Sequence, residues 1–398
     1  MISVEEARTR ILAHLRPTGP EVVALAEAWG RVLAQPVAAR LDQPPADVSA
    51  MDGYALRSQD TGRRRLVGAA PAGHPFAGEV GPGEAVRLFT GSVVPHGADS
   101  ILLQEDAVRE GDQVTPAEPP KHGRHIRRQG QDFSTGDVLL AAGTRLNPRA
   151  VGLAAAANHA WLTVHRRPSV AILATGDEIA LPGAPVGPGG IVSSNAHALA
   201  ALVRARGGLP IVLPIAVDRP ESIAAAATSL QGADILLTTG GASVGEHDLV
   251  QAGLGAEGFV LDFWKIAMRP GKPLIYGRLG ATAVLGLPGN PVSAMVCATL
   301  FLLPMLDRLQ GMQGEPAPLT PARLGAALPA NDLRADYLRA TMTGDAQGLP
   351  VVTAFSRQDS SLLRVLHQAD ALIVREPHAP GLPAGSLVSI LRLDMLGV

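Results

Sequence analysis

The stretch Ser169-Val-Ala-Ile-Leu-Ala174, closed by Thr175-Gly-Asp-Glu178, decides the fold. An uninterrupted run of small and apolar residues between Pro168 and a Thr-Gly turn suits a strand covered on both faces. Outward from it the pattern alternates. Ser194 can cap a helix over 195–206, and residues 209–217 read as a second strand. A helix over 220–231 then leads to a third strand, Ala233-Asp-Ile-Leu-Leu-Thr238. Strands separated by helices of this length predict a parallel α/β sheet.

Such sheets bind ligands beyond the carboxyl ends of their strands. Two polar loops stand there, Thr175-Gly-Asp-Glu178 and Thr239-Gly-Gly-Ala-Ser-Val-Gly-Glu-His-Asp248. Their glycines let backbone amides approach an anion, and Thr239 and Ser243 can hydrogen-bond it. The candidate binding residues of the two loops are Thr175, Gly176, Asp177, Gly240, Gly241 and Ser243. An ordinary turn accounts for either loop taken alone.

The stretch Phe263-Trp-Lys-Ile-Ala-Met-Arg-Pro-Gly-Lys-Pro273 sets Lys265, Arg269 and Lys272 around a Pro-Gly turn. Neighbouring cations repel unless they share an anion, so the turn suits a phosphate or another oxyanion. A solvated basic loop is the plainer alternative. The following segment, 281–306, has no charged residue and is long enough to suggest a membrane span. However, Leu287-Pro-Gly-Asn-Pro291 breaks it, which predicts a strand, a tight turn and a core helix. The turn residues Pro288, Gly289 and Asn290 open that helix, where free amides can hold an anion or simply form a cap. The carboxylates Asp177, Glu178, Asp218 and Asp248 give the region both signs of charge. A mixed site of this kind can hold a phosphate-bound Mg²⁺, which takes one or two carboxylates and keeps several waters.

The bulk composition excludes other classes. The 398 residues suggest two to four domains, and 34 basic against 36 acidic residues give a net charge of -2. That balance offers no broad surface for nucleic acid or membrane, so any anion site is local. Aromatics make up only 3% of the chain, so its core is built from Ala, Val, Leu and Ile. The single cysteine, Cys297, rules out an internal disulfide and a cysteine-based zinc site. The first residues read as the start of a helix rather than an apolar leader, which fits a cytoplasmic enzyme. The histidines show no metal-ligand spacing, and no G-x-S-x-G, Walker A or G-x-G-x-x-G fingerprint occurs.

Residues 3–16 and 21–34 read as two helices joined by Arg16-Pro-Thr-Gly-Pro20. Residues 41–136 are rich in Gly, Pro and short alternating runs such as Glu84-Ala-Val-Arg-Leu-Phe89, which predicts a small β-rich domain. A helix over 148–158 is expected to return to the first pair, making the β-rich block an insertion. Beyond the Gly/Pro-rich linker 310–318, runs such as Ser386-Leu-Val-Ser-Ile-Leu391 predict a small barrel or sandwich.

Taken in order, a set of motifs resembles the molybdopterin molybdotransferase family, also called MoeA and shared with the gephyrin E-domain. The first are Ser49-Ala-Met-Asp-Gly-Tyr-Ala55, Phe89-Thr-Gly91, Gly130-Gln-Asp132 and Ala174-Thr-Gly-Asp-Glu178. They continue with Gly240-Gly-Ala-Ser-Val-Gly-Glu-His-Asp248, Lys265-Ile-Ala-Met-Arg-Pro-Gly-Lys-Pro273 and Leu287-Pro-Gly-Asn-Pro291. Tyr337-Leu-Arg339 and Gln358-Asp-Ser360 complete the set.

The resemblance implies an α/β plus β chain: a multidomain, elongated subunit with a MogA-like parallel α/β domain, a β-rich inserted domain and a C-terminal β-barrel. On this chain the domains become 1–40 with 137–166 (helical, linking), 41–136 (inserted, β-rich), 167–312 (molybdopterin-binding) and 313–398 (barrel). The implied reaction inserts molybdate into adenylylated molybdopterin and releases AMP, with Mg²⁺ assisting. The family's functional positions carry over onto Asp52, Thr90, Asp132, Glu178, Asp218, Asp248, Lys265, Arg269, Lys272, Arg339 and Ser360. Glu178 and Asp248 are the implied Mg²⁺ carboxylates, while Lys265, Arg269 and Lys272 would hold molybdate and phosphate oxygens.

A homodimer is implied, with Asp52, Thr90 and Asp132 acting on the partner's site. So are transient contacts with the molybdopterin adenylyltransferase and with cofactor-accepting proteins. Three positions depart from the family pattern: Arg269 stands where lysine is usual, Gln131 where Glu is common, and Asp359 where Gly is common. The rival expectations are a tungstate-inserting homologue, a non-catalytic pterin-binding scaffold and a generic nucleotide-binding protein.

Overall fold

Ser3 accepts a hydrogen bond from the Glu6 amide (3.0 Å) and so caps helix α1 (Val4–Ala13), whose Ala7 and Ile11 are buried. The computed structural model describes residues 1–228, 232–240, 252–255, 257–344 and 348–397. It divides into two compact units, residues 22–163 and the remainder, Met1–Glu21 with Val164–Val398.

In the larger unit the apolar runs form a six-stranded sheet. In chain order its members are β1 (Ser169–Ala174), β2 (Leu209–Val212), β3 (Ile235–Thr239), β4 (Phe259–Lys265), β6 (Pro273–Leu279) and β7 (Thr282–Leu287), with β5 (Met268–Arg269) belonging elsewhere. The spatial order is β2-β1-β3-β7-β6-β4. The first four are parallel, and β6 and β4 complete the sheet antiparallel. The change of direction follows from connection length. Gly280-Ala281 is too short for a crossover, so β6 must turn back directly into β7. Helices α2 (Asn195–Ala205) and α3 (Pro220–Thr228) supply crossovers among the parallel strands. Ser194 stands at the start of α2 but makes no side-chain cap. The strand expected over 209–217 ends at Val212, short of Pro214.

The charge-free segment folds as a strand, a turn and a helix. Pro291 opens α4 (Pro291–Cys297), residues Ala298–Leu302 widen into a π-helical turn, and α5 (Leu303–Leu309) follows. The widening lies just before Pro304, which has no amide to donate. This helical run is long and apolar enough to cross a membrane, yet 89% of its most apolar window is buried inside the protein. Its side chains join α1, α2 and the sheet in one core containing Ile11, Leu199, Leu285 and Phe301.

The C-terminal strands are β8 (Thr320–Leu324), β9 (Ala335–Thr343), β10 (Val351–Ala354), β11 (Ala371–Arg375) and β12 (Leu387–Arg392). They run β9-β10-β8-β12-β11, and β9 pairs β11 to close a five-stranded barrel. The short β5 is annexed in parallel to β9, with Met268 opposite Ala335 and Arg269 opposite Asp336.

The smaller unit is built on a six-stranded sheet whose central strands are Gly53–Leu56, Glu84–Leu88 and Arg64–Ala70. Its helix, Pro148–Ala156, is capped by Asn147 through the Ala150 amide (2.9 Å). The helix expected over 21–34 does not form. Pro20–Ala24 is a strand and Leu25–Glu27 a single 3₁₀ turn, while Gly30 turns with φ 73. β-Branched Val22 and Val23 favour the extended form, and the Leu25 amide is taken by the Ala160 carbonyl (2.9 Å).

Candidate active site

Three parallel strands end side by side, and their polar continuations make one wall of a cavity. β1 runs into the loop that brings Glu178 to the cavity, β3 into Gly240, and β7 into Pro288-Gly289-Asn290. The cavity has a volume of about 990 Å³, and Arg334 with the loop Gln358–Ser361 of the barrel region also lines it. Glu178, Gly240, Arg269, Lys272, Pro288, Gly289, Asn290 and Ser360 all line it.

Hydrogen bonds hold these loops to one another. The Asn195 side-chain amide donates to Thr239 Oγ1 (2.8 Å) and to the Gly289 carbonyl (2.7 Å), using both of its hydrogens. Asn290 Nδ2 donates to Ser360 Oγ (2.8 Å), and the Val292 amide to the Ser360 carbonyl (3.1 Å). The start of α4 therefore gives one of its free amides to the barrel region rather than to a ligand. Gly176 adopts φ 149, and a Cβ there would stand 2.5 Å from Glu178 Oε2. Among the described residues, the buried Thr175 hydroxyl has no hydrogen-bond partner.

The cations are not equivalent. Lys272 is exposed and lines the cavity. Lys265 does not line it; its ammonium lies over the Trp264 ring, 3.3 Å from the centroid. Arg269 lines the cavity but is paired with Asp336 and, at 3.4 Å, with Asp332. Hydrogen bonding to Asp336 raises the Arg269 pKa above its ordinary value. Arg339, expected to bind substrate, is 1% exposed. Its amide, Nε and Nη2 donate to Gln358 Oε1 at 3.0, 3.1 and 3.0 Å, and its Nη1 donates to the Asp359 carbonyl (2.8 Å). Arg339 thus shapes the loop carrying Ser360 from behind. Asp359 does face the cavity, and its Oδ1 accepts from the Ser361 hydroxyl and amide, which lower its pKa.

Among the carboxylates, Glu178 is exposed at the cavity, and Asp177 Oδ1 accepts from the Asp218 amide (3.2 Å). Asp248, Gly241 and Ser243 lie outside the described residues. No group of three or more His, Cys, Asp or Glu suited to a metal occurs among the described residues. Glu178 is an exposed hard oxygen donor at the cavity, and this fits Mg²⁺, which needs few protein ligands.

In the smaller unit Asp52 Oδ1 accepts from the Thr90 amide (2.8 Å) and hydroxyl (3.0 Å). These bonds lower the Asp52 pKa, and nearby Arg87 adds to the effect. The Arg87 guanidinium stacks over Tyr54 and Phe89, 5.1 and 5.0 Å from their ring centroids. Asp132 is exposed; its amide donates to the Gln43 carbonyl (2.9 Å), and its carboxylate makes no hydrogen bond to Asp52 or Thr90.

Sequence reasoning missed Asn195, Arg334 and the aspartates that hold Arg269. Asn195 was within reach, because the helix following a parallel strand starts at that strand's carboxyl end. Asp336 had no such signal, being paired across 67 positions.

Residues 2–158 match a family described as the MoeA N-terminal region (domain I and II). Residues 171–308 match a probable molybdopterin binding domain, and 321–393 the MoeA C-terminal region (domain IV). The molybdopterin molybdenumtransferase of Haemophilus influenzae is 34% identical over 397 residues, covering 98% of each chain. That of Nostoc sp. is 38% identical over 304 residues, 73% of this chain and 70% of the relative. The crystal structure of the molybdopterin biosynthesis MoeA protein from Pyrococcus horikoshii OT3 superposes with a TM-score of 0.84 at 28% identity, covering 98% of this chain and 99% of that one. With successive MoeA regions matched in order and a relative aligned end to end at 34% identity, this chain belongs to the MoeA family.

Proposed function

We propose that this chain is a molybdopterin molybdenumtransferase, which inserts molybdate into adenylylated molybdopterin and releases AMP. The observation that carries this function is the strand-end cavity, open to a large substrate and offering both signs of charge through Lys272 and Glu178. Lys272 is suited to an oxyanion as a mobile point charge. Gly240 and Gly289 expose backbone where a flat or anionic group must come close. Asn290 and Ser360 present a bonded amide and hydroxyl beside them. Preorganised groups of this kind stabilise charge that develops as AMP leaves.

Glu178 would hold Mg²⁺, with Asp248 as the second carboxylate implied by the family, and the ion would neutralise charge on the phosphate bridge. The same proposal includes a homodimer in which Asp52, Thr90 and Asp132 act on the site of a second copy. It also includes a cytoplasmic location and transient contacts with the adenylyltransferase and with proteins that accept the cofactor. No observation at the site favours tungstate use or a non-catalytic scaffold.

The test supplies adenylylated molybdopterin, Mg²⁺ and molybdate, and measures AMP together with cofactor. Wild-type protein is expected to form both, and omission of Mg²⁺ to slow both. Wild-type protein that forms neither would refute the activity. Sedimentation of active protein tests the dimer, and a fully active monomer would exclude it.

A further inference from the structure

Arg269 carries its charge at the cavity but commits it to the barrel. Its Nε donates to Asp336 Oδ1 (2.6 Å), its Nη2 to Asp336 Oδ2, and its Nη1 to Asp332 Oδ2 (3.4 Å). All of the guanidinium nitrogens are therefore engaged. Asp336 is only 4% exposed, so removing Arg269 would leave a buried carboxylate without this ion pair. Arg269 and Asp336 are also register partners where β5 joins β9, so backbone and side chains make the same connection.

The turn that follows is fixed at its other end. The Ile266 amide donates to the Lys272 carbonyl (3.1 Å). Gly271, with φ 111, packs so closely on Cys297 that a Cβ would stand 2.5 Å from its Sγ. Lys272 projects from this pinned turn. The other cation lining the cavity, Arg334, reaches Asp332 at 3.3 Å. Among the described residues lining the cavity, Lys272 is the cation with no ion-pair partner.

We infer that Arg269 is a positioning residue: paired with Asp336, it makes the C-terminal barrel fix the stance of Lys272, and Lys272 is the cation of this turn that meets the oxyanion. The inference rests on the cavity being the oxyanion site. A lysine at 269 keeps the charge but cannot form the two parallel bonds of the fork. The arginine at this position therefore couples barrel to turn in a way the more usual residue would not.

The test exploits a property of buried pairs: removing one partner strands the other, whereas replacing both by apolar side chains of similar size is often tolerated. Arg269→Met, Asp336→Leu and the double variant are compared with wild type for molybdate KM and kcat in AMP release. Molybdate binding alone is measured by calorimetry, and folding by thermal unfolding. Each single variant is expected to raise the molybdate KM about 10- to 100-fold through displacement of Lys272. The double variant is expected to recover a large part of that loss, and Lys272→Ala to abolish molybdate binding in either background.

A double variant that binds no better than Arg269→Met would make Arg269 a direct ligand and overturn the inference. Lys272→Ala binding like wild type would overturn it as well. Should the single variants fail to fold, Arg269→Lys and Asp336→Asn carry the comparison. Positioning requires both to weaken binding, whereas a direct ligand would leave Arg269→Lys near wild type and let Asp336→Asn bind more tightly. Wild-type protein without AMP release would refute the activity itself, whereas active wild type with the ligand pattern would refute only this role of Arg269.

Discussion

The Asn195 side-chain amide stands 2.7 Å from the Gly289 carbonyl, and through this bond the start of α2 holds the turn that ends β7. The same amide reaches Thr239 at the end of β3, so one short side chain sets the spacing of two strand-end loops.

Asn195→Ala removes both bonds and should cost about 1–3 kcal/mol of stability. It should also lower kcat/KM at least roughly tenfold, since small displacements in a preorganised site are expensive. Asn195→Asp keeps the shape but loses the donors, placing a carboxylate against the Gly289 carbonyl, and is expected to be worse. Urea unfolding and steady-state AMP release check both variants; wild-type activity in Asn195→Asp would show that the brace is unimportant.

Gly271→Ala places a Cβ where φ is 111 and Cys297 Sγ is 2.5 Å away. A loss of about 2–4 kcal/mol is expected. Adding Cys297→Ala clears the steric part and should recover some of it, while the backbone strain stays. Thermal unfolding of the single and double variants measures this, and an unaltered Gly271→Ala would contradict the packing. Burial also pushes the Cys297 thiol well up, so native protein should resist thiol alkylation and react only after unfolding.

Asp52 gives a pH prediction. The Thr90 amide and hydroxyl favour its ionised form, so its folded pKa lies below the ordinary 3.8. Its contribution to stability is then present above 3.8 and is lost as pH falls through the folded value. Thr90→Val deletes the hydroxyl bond but leaves the amide, and should move the midpoint upward toward 3.8. Carboxyl-resolved NMR titration reads the shift directly; a wild-type midpoint above 3.8 would contradict it.

Gln358→Leu removes the oxygen that accepts from the Arg339 amide, Nε and Nη2. A buried guanidinium would then retain the Asp359 carbonyl and little else. About 3 kcal/mol of stability should be lost, and the loop bearing Ser360 should loosen, raising the substrate KM. Chemical denaturation and AMP-release kinetics test this together.

What could be read from the sequence was what local pattern controls. The apolar runs at 169–174 and 233–238 placed the parallel strands, and polar residues at their ends placed the cavity. The break at Leu287-Pro-Gly-Asn-Pro291 separated strand from core helix, as β7 and α4 show. Residues 21–34 misled because Ala, Leu and Glu favour helix there, while the neighbouring chain at Ala160 supplies strand-like hydrogen bonding instead. The cationic turn is illegible in a different way. Lys265, Arg269 and Lys272 are three nearby cations in the sequence, but they separate once Trp264 lies under one and Asp336 grips another. That separation depends on the β5–β9 register, a long-range pairing with no local signature. That Arg339 is buried against Gln358 is likewise invisible in the sequence.

If Lys272 meets the oxyanion in the strand-end cavity, AMP release depends on its ammonium group. The most direct measurement is single-turnover AMP release from adenylylated molybdopterin at increasing molybdate, comparing wild type with Lys272→Ala and Lys265→Ala. Molybdate-dependent release is expected of wild type, with a loss of about 100-fold or more in Lys272→Ala and a much smaller loss in Lys265→Ala. Equal release by Lys272→Ala and wild type, or a larger loss in Lys265→Ala, would contradict it.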